Sequence, residues 1–259
     1  MRRKILTGVA FLILAGLAWA SNEPWKEKPY QQWDKADLAV ILGNSPWAKK
    51  VVVDVNWKPD AASGGQSEMP ESDQAPGLHE HMATSKGGMP DTSPPDASMS
   101  STGSIGAAAA PPKASFYIRW YSSRVMREAL EREAVLNGRI SEAEGAKLLA
   151  EPVNNYEIIV FGQDMTPFQN LSEQQLQSAS SLEGKQSKQK VAPASVRMNK
   201  SPNGRTNSIV FSFPRNTGSG SDVASAQEKN LEFVCKVKGL DLRNTFDTRK
   251  MADYKGPDF

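Results

Sequence analysis

The amino-acid sequence predicts an α+β fold, a mostly antiparallel sheet with helices on one face and a long disordered insertion. Three observations lead there. Apolar residues alternate with polar ones over several short stretches, as in Phe116, Ile118 and Trp120 or Leu231, Phe233, Cys235 and Val237. Between these stretches lie segments with helical spacing and helix-start signals. A block from Lys58 to Lys113 carries neither pattern: 24 of its 56 residues are Gly, Pro or Ser, and its large apolar residues are Leu78 and Ile105. A segment so poor in apolar surface does not offset a backbone ordering cost of about 1 to 2 kcal/mol per residue, so residues 58–113 are expected to be a disordered, low-complexity insertion.

Residues 1–20 read as a cleavable signal peptide. Arg2, Arg3 and Lys4 precede an apolar run from Ile5 to Leu17, and Ala18-Trp19-Ala20 supplies a small-x-small cleavage pattern. The run is shorter than the roughly 20 residues a membrane-spanning helix needs. Export to the periplasm or beyond is therefore expected, with no stable membrane span after cleavage. No Cys follows the run, so lipid attachment is not expected. The formal charge of +2 includes the three basic residues of this segment, which leaves −1 for residues 21–259. Nothing in that charge favours nucleic acid as a partner.

Residues 21–57 predict one helix and one strand. Asp34 and Asp37 precede Leu38, Val40, Ile41 and Leu42 as a capping signal, and Gly43-Asn44 with Ser45-Pro46 stops the helix. Val51, Val53, Val55 and Trp57 then share one face of a strand over 50–57. Fewer than about forty residues do not bury a core, so this pair is expected to belong to the main domain of residues 114–259, with the insertion lying inside one domain.

After the insertion, a strand at Phe116–Tyr121 enters a helix at Ser122-Ser123. Val125, Met126, Ala129 and Leu130 form its apolar stripe, and Arg124 with Glu128, Arg127 with Glu131, and Glu128 with Arg132 are spaced as i,i+4 ion pairs. Asn137-Gly138 closes that helix, Ser141-x-x-Glu144 is a capping box for a second, and Pro152 follows its end. A strand over 156–161 is an apolar run interrupted by Glu157. Ser172 to Leu182 has weak helical spacing. Pro202-Asn203-Gly204 and Lys238-Gly239 mark two hairpins, one joining Val196 and Met198 to Ile209, Phe211 and Phe213, the other joining Leu231–Val237 to Leu240 and Leu242. Six or seven strands in one sheet are expected.

The chemical inventory assigns no catalytic, cofactor-binding or metal-binding residue. Both histidines, His79 and His81, fall in the insertion, which leaves the predicted folded part without an imidazole for a Ser-His-Asp or Cys-His arrangement. Cys235, the single cysteine, keeps strand register with Leu231 and Phe233 and reads as a buried thiol. His79, His81 and Met82, with Met69, Met89 and Met99, supply imidazole and thioether donors of the kind that suits copper. Trp25, Tyr30, Trp33, Trp47 and Trp57 concentrate near one end, where core burial of Trp33, Trp47 and Trp57 competes with an aromatic binding face.

Taken together, Pro29-Tyr30-x-x-Trp33-x-x-x-Asp37-Leu38-x-x-Ile41-Leu42-x-x-Ser45-Pro46-Trp47, Phe116-Tyr117-Ile118-Arg119-Trp120-Tyr121-Ser122-Ser123-Arg124, Asp164-Met165-Thr166-Pro167-Phe168 and Phe233-Val234-Cys235-Lys236-Val237 resemble a group of exported bacterial proteins, some labelled GWxTD-domain-containing. Trp33-x-x-x-Asp37 is the nearest approach to the Gly-Trp-x-Thr-Asp signature. The resemblance implies no activity, cofactor or catalytic residue. Two function classes follow from the sequence: an exported, non-enzymatic binding or assembly protein of the periplasm or cell envelope, its partner an envelope protein or carbohydrate, and a carboxylate-dependent hydrolase of envelope carbohydrate. Copper binding through the insertion is a third reading.

Overall fold

The computed structural model describes residues 23–58, 112–217, 220, 222–224 and 228–259. The expected signal peptide and nearly all of the expected insertion lie outside these residues, as do His79, His81, Met82, Met69, Met89 and Met99. Among the described residues the fold is α+β, with antiparallel pairing throughout its sheets.

The chain begins with a short helix α1 (Pro24–Glu27), a 3-10 turn (Tyr30–Gln32) and helix α2 (Lys35–Gly43). Asp34 caps α2 by accepting from the amides of Ala36 and Asp37, while Asp37 reaches back to the Asp34 amide. Such a reciprocal cap satisfies donors that have no partner within the helix, an effect of about 1 kcal/mol. Strand β1 (Ala48–Asp54) follows, and β2 (Lys113–Trp120) pairs with it from Ala48 opposite Arg119 to Asp54 opposite Lys113. The two strands flanking residues 59–111 are thus direct neighbours. Their ends are joined by a hydrogen bond from Val55 N to Pro112 O and an exposed ion pair between Lys113 and Asp54.

Helices α3 (Arg124–Leu136) and α4 (Glu142–Ala150) make the hairpin that the capping signals predict, with Ser123 and Ser141 as N-caps. Its ion pairs differ from the i,i+4 expectation. Arg124 instead forms a two-point pair with Asp253, Glu128 takes Lys255, and Arg127 turns to the carbonyls that end α4. Partners from distant segments approach the helix closely enough to displace weak pairs worth about 0.2 to 0.5 kcal/mol.

The remaining strands are β3 (Asn155–Gly162), β4 (Ser180–Gly184), β5 (Lys190–Val191), β6 (Ser195–Lys200), β7 (Thr206–Pro214), β8 (Asn230–Val237), β9 (Leu240–Asp247), β10 (Ala252–Asp253) and β11 (Gly256–Pro257). A second 3-10 turn (Thr166–Phe168) and helix α5 (Glu173–Ala179) separate β3 from β4. The weak helical spacing at Ser172–Leu182 resolves into Ser172 as cap, a helix that stops at Ala179, and a strand that contains Leu182. The strands divide between two main sheets, where the alternation pattern led to one. The five-stranded sheet runs β1-β2-β3-β7-β6, the four-stranded sheet runs β5-β4-β8-β9, and β10-β11 form a separate ribbon.

The two main sheets share one core. Phe211 of β7 and Phe233 of β8 meet at 5.1 Å between ring centroids, and Trp120 of β2 meets Phe246 of β9 at 5.0 Å. Ile118, Ile158, Ile209, Leu231, Cys235 and Leu242 join the same cluster, as do Met126 and Ala129 of α3. Trp25, Trp33 and Trp47 are also buried in it, which removes them from any exposed aromatic face. Trp57 is half-buried and donates its indole N–H to Asp164 at 2.8 Å.

One glycine reports how closely β2 and β3 pack. A Cβ built on Gly162 would lie 2.6 Å from the Ser115 carbonyl, a main-chain atom that cannot move aside without disturbing the pairing.

The adjacency of Asp54 and Lys113 leads to a test of the insertion. Replacing residues 60–110 with a short Gly/Ser turn should leave a cooperatively unfolding protein, because β1 then meets β2 as a hairpin. Closing a shorter loop changes the entropy only with the logarithm of its length, so a modest rise in the thermal midpoint is expected. Loss of the thermal transition by calorimetry would show that the segment contributes to the core.

Candidate functional site

The outer face of the five-stranded sheet, away from the shared core, carries a second apolar cluster of Ile159, Phe161 and Val210, flanked by Tyr117 and Tyr121. Tyr117 stacks on Phe161 at 5.3 Å, and the Arg119 guanidinium lies 4.6 Å from the Phe161 ring centre. Arg119 also donates through Nε to the Leu42 carbonyl at 2.8 Å, so α2 is tied to this face. Where the α3–α4 hairpin and residues 151–155 meet the end of this face, they enclose a cleft of about 490 Å³.

The cleft has two kinds of wall. Leu130, Ile140, Leu148, Leu149, Pro152 and Val153 make one side apolar, whereas Tyr121, Glu157 and Arg197 bring polar groups from β3, β6 and the end of β2. Strand alternation explains the second group. Glu157 has Ser212 as its partner in the sheet register, and Arg197 is set opposite Val210, so all four residues belong to the outer face.

Several lining residues have structural work within the fold. Arg127 donates through Nη2 to Leu148 O at 2.6 Å, Leu149 O at 3.1 Å and Glu151 O at 3.0 Å, closing the carboxyl end of α4. Ser122 Oγ accepts from the Glu157 amide at 3.1 Å, and the Tyr121 amide donates to the Glu157 carbonyl at 2.7 Å. These contacts fix the junction between β2, β3 and α3.

Other groups are less committed. Arg197 is exposed and has no hydrogen-bond or ion-pair partner among the described residues. The Glu157 carboxylate accepts from Ser212 Oγ at 3.3 Å and has no ion pair among the described residues. Burial pushes the Tyr121 phenol above its ordinary value; Glu157 adds to that rise, and Arg197 and Arg127 oppose it. Tyr121 therefore stays neutral at physiological pH.

Glu131 is the unusual member. It is 7% exposed, its Oε2 has no hydrogen-bond partner among the described residues, and its other oxygen lies over the backbone of α4 at Gly145. A Cβ on Gly145 would stand 2.0 Å from Oε1, so the absence of a side chain there admits the carboxyl group. Burial is the main cause that raises the Glu131 carboxyl above its usual value, Arg132 opposes the rise, and Glu142 and Glu128 add to it. A buried carboxyl with an unused oxygen is the feature of this cleft that the fold itself does not explain.

No residue of this cleft is marked as a site by the sequence alone. Glu131 was matched with Arg127 as an ion pair, and nothing local to either residue shows that Arg127 is drawn to the end of α4. The one signal was Glu157, a charge interrupting an apolar strand. For the copper reading, the His and Met donors lie outside the described residues; among the described residues no group of three or more His, Cys, Asp or Glu is placed to hold a metal ion. Cys235 is fully buried, and burial pushes its thiol up to about 11.

Two expected outcomes follow from these positions. A thiol reagent should label Cys235 slowly in native protein and rapidly in denaturant, and Cys235→Ser should cost about 1 to 3 kcal/mol in urea unfolding by burying a hydroxyl; fast native labelling would contradict the burial. For Glu131, the folded state holds its proton more tightly than the unfolded chain does. Between the ordinary carboxyl value of about 4.3 and the raised one, stability therefore falls as pH rises. Glu131→Gln removes that slope, so its unfolding free energy relative to wild type should increase from pH 4 to pH 7. A difference independent of pH would count against the buried carboxyl.

No family model matches the chain, and neither a curated protein nor a solved structure matches it.

Proposed function

We propose that this chain is an exported, non-enzymatic binding or assembly protein of the cell envelope, and that the cleft between the helical hairpin and the outer sheet face receives its ligand. The export part of this reading rests on the character of residues 1–20, and the resemblance to the GWxTD-labelled group agrees with it. Among the described residues, no helix is long and apolar enough to cross a membrane. The observation that carries the binding reading is the cleft itself. It combines an apolar wall with an Arg197 guanidinium and a buried Glu131 oxygen that have no hydrogen-bond partner among the described residues. Concave sites with a mainly apolar lining and a few converging polar groups are the usual form of small-ligand sites.

One observation favours a second reading. Glu131, whose carboxyl burial raises above its usual value, and Glu157 line the same cleft, and glycoside hydrolysis requires a pair of carboxyl groups in one site. On that reading the ligand is an envelope carbohydrate, Glu131 is the proton donor, and Glu157 is the base or nucleophile.

One experiment separates them. Purified protein is incubated with a solubilised envelope extract and examined by native mass spectrometry, alongside Arg197→Glu and Glu131→Gln. Binding predicts a retained adduct that Arg197→Glu abolishes, with the extract chemically unchanged. An adduct equally retained by Arg197→Glu contradicts the cleft as the site. Shortened polysaccharide products formed by wild type but not by a folded Glu131→Gln would establish the hydrolase instead.

A further inference from the structure

Strand β1 is an edge of the five-stranded sheet, and its outward side is unpaired among the described residues. Trp47 O accepts from the Trp120 amide at 2.7 Å and the Val55 amide donates to Pro112 O at 2.8 Å, so the odd-numbered residues of β1 turn their main-chain groups toward β2. The even-numbered ones turn them away. Ala48 is the first of these, and Ser45 answers it locally: the Ala48 amide donates to Ser45 O at 3.2 Å, and its carbonyl accepts from Ser45 N at 3.1 Å. Lys50, Val52 and Asp54 have no such answer, because their amides and carbonyls lack a hydrogen-bond partner among the described residues. Strand β9 passes near β1 without sharing a ladder with it. At the opposite edge of the sheet, β6 is covered by α5, whose Glu173 Oε1 accepts from the Met198 amide at 3.0 Å. The β1 edge has no such cover. Val52 is 53% exposed, and the run Val51-Val52-Val53 carries no Pro, Gly or bulge to discourage another strand.

The charges on this edge select the strand that fits it. Lys50 and Asp54 stand two residues to either side of Val52 and on the same outer face of the sheet. When a second β1 runs antiparallel to the first with Val52 opposite Val52, Lys50 of each copy falls opposite Asp54 of the other, and the outward-facing residues of both strands exchange their main-chain hydrogen bonds. Other registers lose this match. A centre on Lys50 or on Asp54 sets like charges opposite each other, and a centre on Val51 or Val53 sets neither charge opposite its complement. Within its own chain each charge has only an exposed contact, Lys50 lying 5.9 Å from the Tyr117 ring centre and Asp54 3.1 Å from Lys113, so neither is held away from the edge. We propose that two copies of this chain associate through β1, antiparallel and centred on Val52, so that their five-stranded sheets become one continuous sheet across a two-fold axis. The two outer faces then lie side by side, since strand partners share a face. The dimer does not depend on the cleft as a ligand site. Its ladder is short, which places the dissociation constant in the micromolar rather than the nanomolar range.

The test is sedimentation velocity of residues 21–259, the chain left by the expected cleavage, at concentrations from about 2 to 200 µM. A reversible monomer–dimer equilibrium is expected. Lys50→Asp and Asp54→Lys should each weaken it about tenfold or more, because each substitution enters a two-fold interface twice. The double substitution sets opposite charges face to face again and should return the constant to within about threefold of wild type. Val52→Pro removes an amide that faces away from β2, so it should abolish the dimer while the thermal transition is retained. Should that variant lose its transition, the charge series decides alone, since both of its side chains are exposed. A monomer at the highest concentration overturns the dimer, and so does a dimer that survives a folded Val52→Pro. A double substitution no tighter than the single ones overturns the register. A monomer that dimerises only after residues 60–110 are replaced by the short turn assigns the edge to that segment, and a monomer that gains a Val52-dependent adduct only in envelope extract assigns it to a foreign strand. Either result overturns a second copy as the occupant.

Discussion

Asp258 holds the architecture at the point where three distant parts of the chain meet. Its carboxylate accepts from the amides of Arg124 at 2.7 Å and Val125 at 2.8 Å, the first residues of α3, and its main-chain oxygen accepts from the Trp47 indole at 2.6 Å. Helix N-termini present amides without internal acceptors, and a carboxylate there answers both the missing hydrogen bonds and the positive end of the helix dipole. Because the group is 6% exposed, burial raises its carboxyl value even against those two amides. The arrangement fixes the start and direction of α3. Everything that depends on α3, including where Glu131 meets Gly145, follows from that anchoring.

Around this anchor the neighbouring charges are arranged in support. Arg124 pairs with Asp253 in the β10–β11 ribbon, Lys255 reaches Glu128 at 3.3 Å, and Arg215 donates to the Phe259 main-chain oxygen at 3.1 Å. The last segment of the described chain is thus stitched to α3 and to β7's end, and the β1 turn is held through Trp47. A helix located by long-range contacts of this kind can place a side chain against a neighbouring helix more closely than local propensity would. The Glu131–Gly145 contact is such a placement, and it gives the cleft wall a nearly buried carboxyl group.

How much of this was legible in the sequence depends on the range of the interaction. Asp34 with Asp37 and Ser141 with Glu144 were readable as helix starts because a capping box involves residues three apart. The β6–β7 and β8–β9 hairpins were readable because Asn203-Gly204 and Gly239 mark their turns; Gly239 has φ +84°. The split into two sheets was not readable, since Phe211 and Phe233 alternate with polar neighbours in the same way whether they share a sheet or face one another across a core. Leu182 fell into a predicted helix because Leu176, Ala179 and Leu182 fit its period, and only pairing with Phe233 makes it a strand residue. The cleft was hidden for a similar reason. Glu131 becomes unusual only when Gly145 lies beneath it and Arg127 has turned elsewhere.

The neighbouring positions of Asp54 and Lys113 have a kinetic consequence. The rest of the five-stranded sheet connects strands close in sequence, as β6 to β7, separated by one helical hairpin, as β2 to β3, or separated by α5 and β4 to β6, as β3 to β7, where Phe161 pairs with Ser208. Pairing β1 with β2 instead requires closing 59 residues of chain before the first cross-strand hydrogen bond returns any free energy. The order of assembly is therefore biased: β2, β3, β7 and β6 can associate early, while β1 completes the sheet late. Until then the Phe116 and Ile118 side of β2 borders an unfilled edge, and this period of synthesis or refolding is when the chain is most exposed to pairing with a strand from another molecule.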